Sequence, residues 1–476
     1  MPHYIGIDVG TTSITALILD AESGCVIASK SVANDSETTP RTGKERGRSE
    51  WDVKSMAVRS TELLSSITEV SNTSISGIGV TGQQHGMVLL DDKHNPIGPF
   101  IGWQDRRCLD PHQDGRTYLE SMIARGGSNF ATSEYLPARG YMGSTLFWLS
   151  QRGELPRGAT ASFAPDYLVG SLCDQGPITD PTNAAGSGVF NVIEGAWDSE
   201  LLHLIGLSRT CLPDVQPSCT WAGALSKDTA TATGLPEGLP VTNACGDNQA
   251  SFAGSVSDYA QSVLVNIGTG GQISVYSPDP IRIDGLLVRP YLKPGYLLVG
   301  AGMTGGRSYA VLERFIEDVG QSVFGTEISG SMYDVLTGLA ERTPPGAEGL
   351  VCEPIFTGSL ASPARRGILS GISDANLTAG NLARALLEGM VHQFLDMYGS
   401  MLSAGVTKRN LLVGAGNGLR KNELLRALFS SGFEMSMKVV RHEEEAALGA
   451  ALSAAVADGM FKDVEAAGLH CINYTE

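Results

Sequence analysis

"GIDVGTTSITALI", residues 6–18, is an apolar run that carries an aspartate to its end, turns through Gly-Thr-Thr-Ser and becomes apolar again. Val, Ile and Leu flanking a glycine-containing turn predict a hairpin, here with strands over 5–9 and 14–20. "LVNIGTGGQISVY", residues 264–276, repeats that plan: in alignment Asp8 falls over Asn266, Gly10 over Gly268 and Thr11 over Thr269. A looser echo links "ISGIGVTGQQHG" (75–86) with "LLVGAGNGLRKN" (411–422), each an apolar strand running into a glycine-rich turn. Two echoes in matching order predict two related α/β units, 1–254 and 255–476. The alternative is one large sheet with unrelated turns. A chain of 476 residues favours two units, because it exceeds what one hydrophobic core usually supports.

Between the echoes, strand-like runs alternate with amphipathic helical stretches, the pattern of α/β architecture. Helices are predicted near 51–70, over 145–153 and over 165–174, and further strands over 75–82 and 86–92. The formal net charge is −17 and the pI near 4.9. That balance opposes general binding to nucleic acid or to an anionic membrane, so an anionic ligand needs a local site. The eight cysteines are scattered, without a CxxC pair or a His/Cys cluster at zinc spacing, which argues for a reducing compartment. No basic segment followed by an apolar stretch opens the chain, and "AALGAALSAAVA" (446–457) is too short to span a bilayer. The expectation is a cytoplasmic protein.

The chemistry concentrates in the turns. A glycine-bearing turn between strands offers backbone N–H groups to a phosphate without needing basic residues. Thr11, Thr12 and Ser13 add hydroxyls, and Gly268–Thr269–Gly270–Gly271 offers a second cradle. Facing each other across a cleft, the two could clamp a triphosphate, although an ordinary tight turn explains either one alone. Asp8 beside such a cradle would repel phosphate unless a cation lay between them. Mg²⁺, held by one or two carboxylates plus phosphate oxygens, meets that need. No GxxxxGK[ST] occurs, which excludes a P-loop.

"NACGDNQAS" (243–251) presents Asp247 either as a plain helix cap or as a general base for a hydroxyl, and the residues leave the two readings even. "GVTGQQHGMV" (79–88) and "FIGWQDRRC" (100–108) gather polar and aromatic groups at strand ends. Trp103 could stack on a sugar or belong to a core. Gln104, Asp105 and His85 could bond vicinal hydroxyls, while a structural histidine remains an alternative for His85. Arg106 and Arg107 read best as partners of nearby acids. The turn in "LLVGAGNGLRKNELLRALFS" (411–430) permits close approach of a planar base or ribose.

Taken together, these segments resemble the FGGY carbohydrate kinases, of the superfamily that includes actin, hexokinase and heat-shock chaperones. The resemblance rests on "GIDVGTTS" (6–13), "GVTGQQHG" (79–86), "WQDRR" (103–107), "FWLSQ" (147–151), "DPTNAAGSGVFNV" (180–192), "GDNQAS" (246–251), "NIGTGG" (266–271), "SPARRG" (362–367), "GAGNGLRKNELL" (414–425) and "EAALGAAL" (445–452). It implies two ribonuclease-H-like domains closing over ATP and a sugar. It implies Asp247 as catalytic base and Asp8 as the carboxylate that organises Mg²⁺–ATP. Thr11, Thr12, Gly268 and Thr269 correspond to phosphate-binding positions. Gly306, Gly414 and Asn417 correspond to the nucleotide pocket, and His85, Trp103, Asp105 and Asn248 to the sugar pocket.

Glycerol kinases carry Arg-Glu where this chain has Gln84–His85, so the resemblance points to ketose kinases. Gln104 and Thr145 tilt the expected acceptor toward sedoheptulose, with xylulose or ribulose as alternatives. A homodimer stays open. The rival from another class is a nucleotide-switch ATPase of the same superfamily, against which the Trp103–Asp105 pocket counts. A degenerate kinase that only senses sugar is opposed by the presence of both Asp8 and Asp247.

Overall fold

The computed structural model describes residues 2–71, 73–132, 137–326, 330–356 and 365–475. Residues 362–364 of the "SPARRG" stretch lie outside them. The strands His3–Val9 and Ser13–Asp20 pair antiparallel with Asp8 opposite Thr15, and their turn closes through a Gly10 N–H to Ser13 carbonyl bond of 3.0 Å. Ile75–Gly82 runs parallel on the other side of His3–Val9, with Thr81 opposite Asp8. The first sheet is thus ordered Trp221–Ala224, Pro240–Thr242, Ile75–Gly82, His3–Val9, Ser13–Asp20, Cys25–Ala33, and the short strand Cys245–Gly246 also pairs with Ile75–Gly82.

The second sheet follows the same plan. Ser262–Ile267 and Gly271–Ser277 pair antiparallel with Asn266 opposite Gln272, and Leu411–Ala415 lies parallel beside Ser262–Ile267. Tyr296–Met303 and Leu287–Pro290 extend one side, Ser436–Val440 and Tyr474–Thr475 the other. Both echoes read in the sequence therefore occupy equivalent places: hairpin over hairpin, and parallel neighbour over parallel neighbour. The expected helices form as Val53–Ser71, Met142–Gln151 and Ala164–Cys173.

Each sheet has its own core, with Ile5, Ile7, Ile14 and Val80 in the first and Val263, Val265, Ile273 and Phe394 in the second. A third core, containing Met87, Phe147, Phe163, Phe190 and Trp197, fills a lobe built beside the first sheet. Between the two sheets runs Glu445–Ala457, which explains its composition. This helix is buried on nearly every side, as an all-apolar helix should be. Its backbone lies so close to the first sheet that a Cβ on Gly6 would sit 1.8 Å from the Ala447 carbonyl, and one on Gly79 equally close to that of Ala450. Only alanine and glycine permit that approach. The helix follows Ser436–Val440 of the second sheet in the chain yet packs on the first sheet, and with Asp247–Ala253 it forms the joint between the two.

Candidate active site

The second hairpin's turn opens onto a cleft of about 1010 Å³ lined by Gly268, Thr269, Gly306, Arg307, Gly416 and Asn417, among others. Gly268 and Thr269 are exposed, and no atom lies within 4 Å of the place a Gly268 Cβ would take. The helix Gly306–Phe324 is fastened to the turn: Gly306 N–H donates to the Gly268 carbonyl at 2.9 Å and Arg307 N–H to the Thr269 carbonyl at 3.0 Å. Four of the expected nucleotide-side residues, Gly268, Thr269, Gly306 and Asn417, therefore share one wall. Gly414 does not. It is buried inside Leu411–Ala415, where a Cβ would press on Met437 and Leu419. The glycine that opens the cleft is Gly416, at φ +82°, with the Ile267 carbonyl 2.5 Å and the Asn266 Oδ1 2.6 Å from a Cβ position. Arg307 and Lys421 face the same cleft, as do Asp334 and Glu443, so an anionic ligand there depends on the backbone N–H groups of the turns and on these two cations.

Asp8 stands at the end of His3–Val9, half-buried, with Oδ1 shut away from water and without a hydrogen-bond partner among the described residues. Burial first, then the charges of Asp247 and Glu444, push its carboxyl up to about 7. Thr11, Thr12 and Ser13 differ in what they offer. Thr11 Oγ1 donates to Gln83 Oε1 at 3.2 Å and accepts from Trp103 Nε1 at 3.0 Å, so it ties the hairpin to the loop that carries Trp103. Thr12 is exposed, and Ser13 starts the second strand.

Asp247 is the first residue of Asp247–Ala253, with Gly246 as the cap, so it is not the capping residue itself. Its Oδ1 accepts from the Asn248 N–H at 2.7 Å. Burial raises its carboxyl to about 6, opposed by the charge of Arg289. From the same helix Asn248 Nδ2 donates to Gln272 Oε1 of the second sheet at 2.9 Å.

His85 has φ +67°, strained for a non-glycine residue and held by two contacts. Its Nδ1 lies 2.6 Å from the Gly186 carbonyl, which makes Nδ1 the protonated nitrogen and leaves Nε2 as an acceptor. Its ring stacks on Tyr141 at 4.0 Å and 5°. Burial and then Arg289 lower it to about 3, so the ring is neutral at physiological pH. Trp103 is 41% exposed, so it is not a core residue, and an apolar face is available to a ligand.

Asp105 departs from the expectation. It is buried at 1% exposure, and its oxygens take Arg107 Nε at 2.9 Å, Arg107 Nη2 at 3.0 Å, and the N–H groups of Ser49 and Arg107 at 2.8 Å each. Arg107 also reaches Glu50 at 2.7 Å. A carboxylate so committed braces the loop that carries Trp103 and is not disposed as a hydroxyl acceptor. The expected pairing of the arginines with acids holds for Arg107.

The FGGY family of carbohydrate kinases matches through its N-terminal domain over residues 3–254 and through its C-terminal domain over 263–457. The chain belongs to this family. Sedoheptulokinase from Homo sapiens is 28% identical, with 95% of this chain and 97% of that protein covered. Glycerol kinase from Trichlorobacter lovleyi is 30% identical over 97% and 91%. The crystal structure of xylulose kinase from Rhodospirillum rubrum superposes with a TM-score of 0.85 at 24% identity, covering 100% of this chain and 93% of that one. This FGGY protein is thus a carbohydrate kinase with a two-unit, actin/hexokinase-like α/β fold, and ATP is the phosphate donor of its family. Among the described residues no helix is long and apolar enough to cross a membrane.

Several contacts around the cleft escaped the sequence reading. Gln84 is buried, donating through Nε2 to the Thr182 carbonyl at 3.0 Å and to Gln249 Oε1 at 2.9 Å. Arg289, on Leu287–Pro290 of the second sheet, donates to Gln84 Oε1. The one signal for Arg289 was an isolated charge within the apolar run "GLLVRPYL" (285–292). Glu444 precedes the helix Glu445–Ala457, and its charge acts on Asp8. Among the described residues no group of three or more His, Cys, Asp or Glu is arranged to hold a metal alone. A magnesium ion shared with phosphate still fits, since Asp8 presents a buried carboxylate oxygen without a partner and oxygen donors are what Mg²⁺ takes.

Proposed function

We propose that this kinase transfers the γ-phosphoryl group of ATP to the terminal primary hydroxyl of a ketose, with sedoheptulose as the preferred acceptor and Asp247 as the general base. The observation that carries the reading is the position of Asp247. It is half-buried at the joint of the two units, with Asp8 electrostatically coupled on one side and the Gln84–His85 turn on the other. We take the units as 1–254, offering the acceptor site, and 255–476, offering the nucleotide cleft.

In this mechanism the ketose lies against Trp103, with a hydroxyl donating to His85 Nε2 and Asn248 on its flank. Asp247 accepts the proton of the terminal hydroxyl as its oxygen attacks phosphorus in line, and the bond to the β-phosphate oxygen breaks to release ADP. The proton leaves late in such a loose transition state, so a carboxylate suffices as base. Orientation supplies much of the rate, because two reactants held in register avoid the entropy of encounter. The turns at Thr11–Ser13 and Gly268–Thr269 hold the phosphates, while Gly306, Gly416 and Asn417 wall the nucleoside. Asp8 would hold Mg²⁺, which when bound offsets phosphate charge. Cytoplasmic residence accords with scattered, reduced cysteines: all eight are free thiols.

Gln84–His85 favours a ketose over glycerol, and sedoheptulose is preferred on Gln104 and Thr145, together with the human relative's name. A coupled ADP-release assay across sedoheptulose, xylulose, ribulose, glycerol and arabitol decides it. Sedoheptulose should have the highest kcat/KM. A higher value for xylulose refutes the acceptor, and substantial turnover by Asp247→Ala refutes the base.

A further inference from the structure

Arg289 is a cation where the composition gives least reason for one. It is 5% exposed, lies on a strand of the second sheet, and ends inside the acceptor side of the first unit. There Gln84 Oε1 accepts from its Nη1, while Gln84 Nε2 is taken by Thr182 and Gln249. The next residue repeats the crossing: the Pro290 carbonyl accepts from Gln249 Nε2 at 3.2 Å. Gln84 immediately precedes His85 in the chain, and Gln249 lies two residues beyond Asp247. The Arg289 side chain therefore fastens the turn that bears His85 and, through Gln84 and Gln249, reaches the helix that bears Asp247, which the Pro290 carbonyl also holds.

A buried guanidinium is costly unless its charge is used. The charged groups around Asp247 are Asp8 on His3–Val9, with Glu444 behind it ahead of Glu445–Ala457, and Arg289 on Leu287–Pro290. The charges of Asp247 and Glu444 both bear on Asp8, so anionic charge gathers there, and Arg289 is the cation that acts against burial to hold the Asp247 carboxyl down. The same charge reaches Tyr141 and, second to burial, helps to keep the His85 imidazole neutral and its Nε2 an acceptor.

We infer that Arg289 is a positioning residue for phosphoryl transfer, a cation delivered by the second unit that fixes Gln84 and counters the anionic charge around Asp247. The inference rests on the reading of Asp247 as base. It explains why the acceptor site is complete only where both sheets meet. Guanidinium suits the task better than ammonium, since its planar fork holds direction while its charge stays fixed.

The test compares Arg289→Met, which removes charge at similar length, with Arg289→Lys, which keeps it. Each is assayed by ADP release with whichever of sedoheptulose and xylulose turns over faster, beside melting curves and the KM for ATP. Arg289→Met should lose about a hundredfold in kcat with KM for ATP within about twofold, and Arg289→Lys should stay within about tenfold of wild type. Equal losses in the two variants, or a loss that follows the melting temperature alone, would overturn the inference. Should Arg289→Met fail to fold, Arg289→Lys decides by itself: a loss beyond about a hundredfold refutes the role of charge. Asp247→Asn run in parallel separates the two ideas. Activity in that variant removes the base, whereas an inactive Asp247→Asn beside a fully active Arg289→Met removes only Arg289.

Discussion

Replacing Asp8 by asparagine should make the metal-free protein more stable at pH 8. In the folded chain the carboxyl is raised to about 7 from 3.8. The folded state therefore binds that proton more tightly than the unfolded state does. The stability this contributes is complete below pH 3.8 and is lost as pH rises through about 7. Fully converted, the shift corresponds to about 4 kcal/mol at pH 8, and halving it for a half-buried group leaves about 2 kcal/mol. Asparagine keeps the shape and carries no charge to repel Asp247 and Glu444. In EDTA at pH 8 the variant should melt roughly 4–8 °C higher if the unfolding unit is about 250 residues. At pH 5 the gain should shrink to less than about half, because there the folded carboxyl is already mostly protonated. Magnesium and ATP should raise the melting temperature of the wild type more than that of the variant. An Asp8→Asn protein that melts no higher than wild type at pH 8, or that gains equally at both pH values, would refute the electrostatic reading of the site.

Gly416→Ala should raise the KM for ATP at least about tenfold and lower the melting temperature, since φ +82° and a carbonyl 2.5 Å from the new Cβ cannot both be kept. Gly414→Ala, by contrast, should affect the melting curve more than the KM for ATP. Arg107→Met should cost about 3–5 kcal/mol in urea unfolding, because it leaves the buried Asp105 carboxylate without its cation. The KM for the ketose should stay flat from pH 5 to pH 8 as far as His85 is concerned, because that ring is lowered to about 3. A tenfold rise in KM on acidification that His85→Gln abolishes would show the imidazole to be titrating in that range.

Much of the architecture was legible because it is written in short-range signals. Alternating apolar runs and Gly-Thr turns specify hairpins wherever the chain later packs, and the repeat of one plan at residue 264 announced a second sheet. Asp8 and Thr269 could be picked out for the same reason, each lying at or beside a turn of the hairpin pair, whereas Asn417 was named through the family resemblance. Trp103 could be named but not placed, since a tryptophan serves a core or a ligand equally well until its neighbours are known.

Other assignments depended on which side chains meet across long separations. Asp105 looked like a sugar acceptor until Arg107 was seen folding back on it two residues later, which depends on a loop's conformation and not on its composition. Gly414 and Gly416 are equivalent in a motif. Strand pairing buries the first, and the second alone has the left-handed backbone that opens the cleft.

By itself the sequence determined the paired hairpins, the acid at the end of the first and the glycine turns, because periodicity and turn chemistry act over a few residues. Only tertiary structure decided that "EAALGAAL" would lie between two sheets and that Arg289 would cross to Gln84, 205 residues away. Close packing and buried charge pairing select partners by position in space, and no local pattern encodes that position.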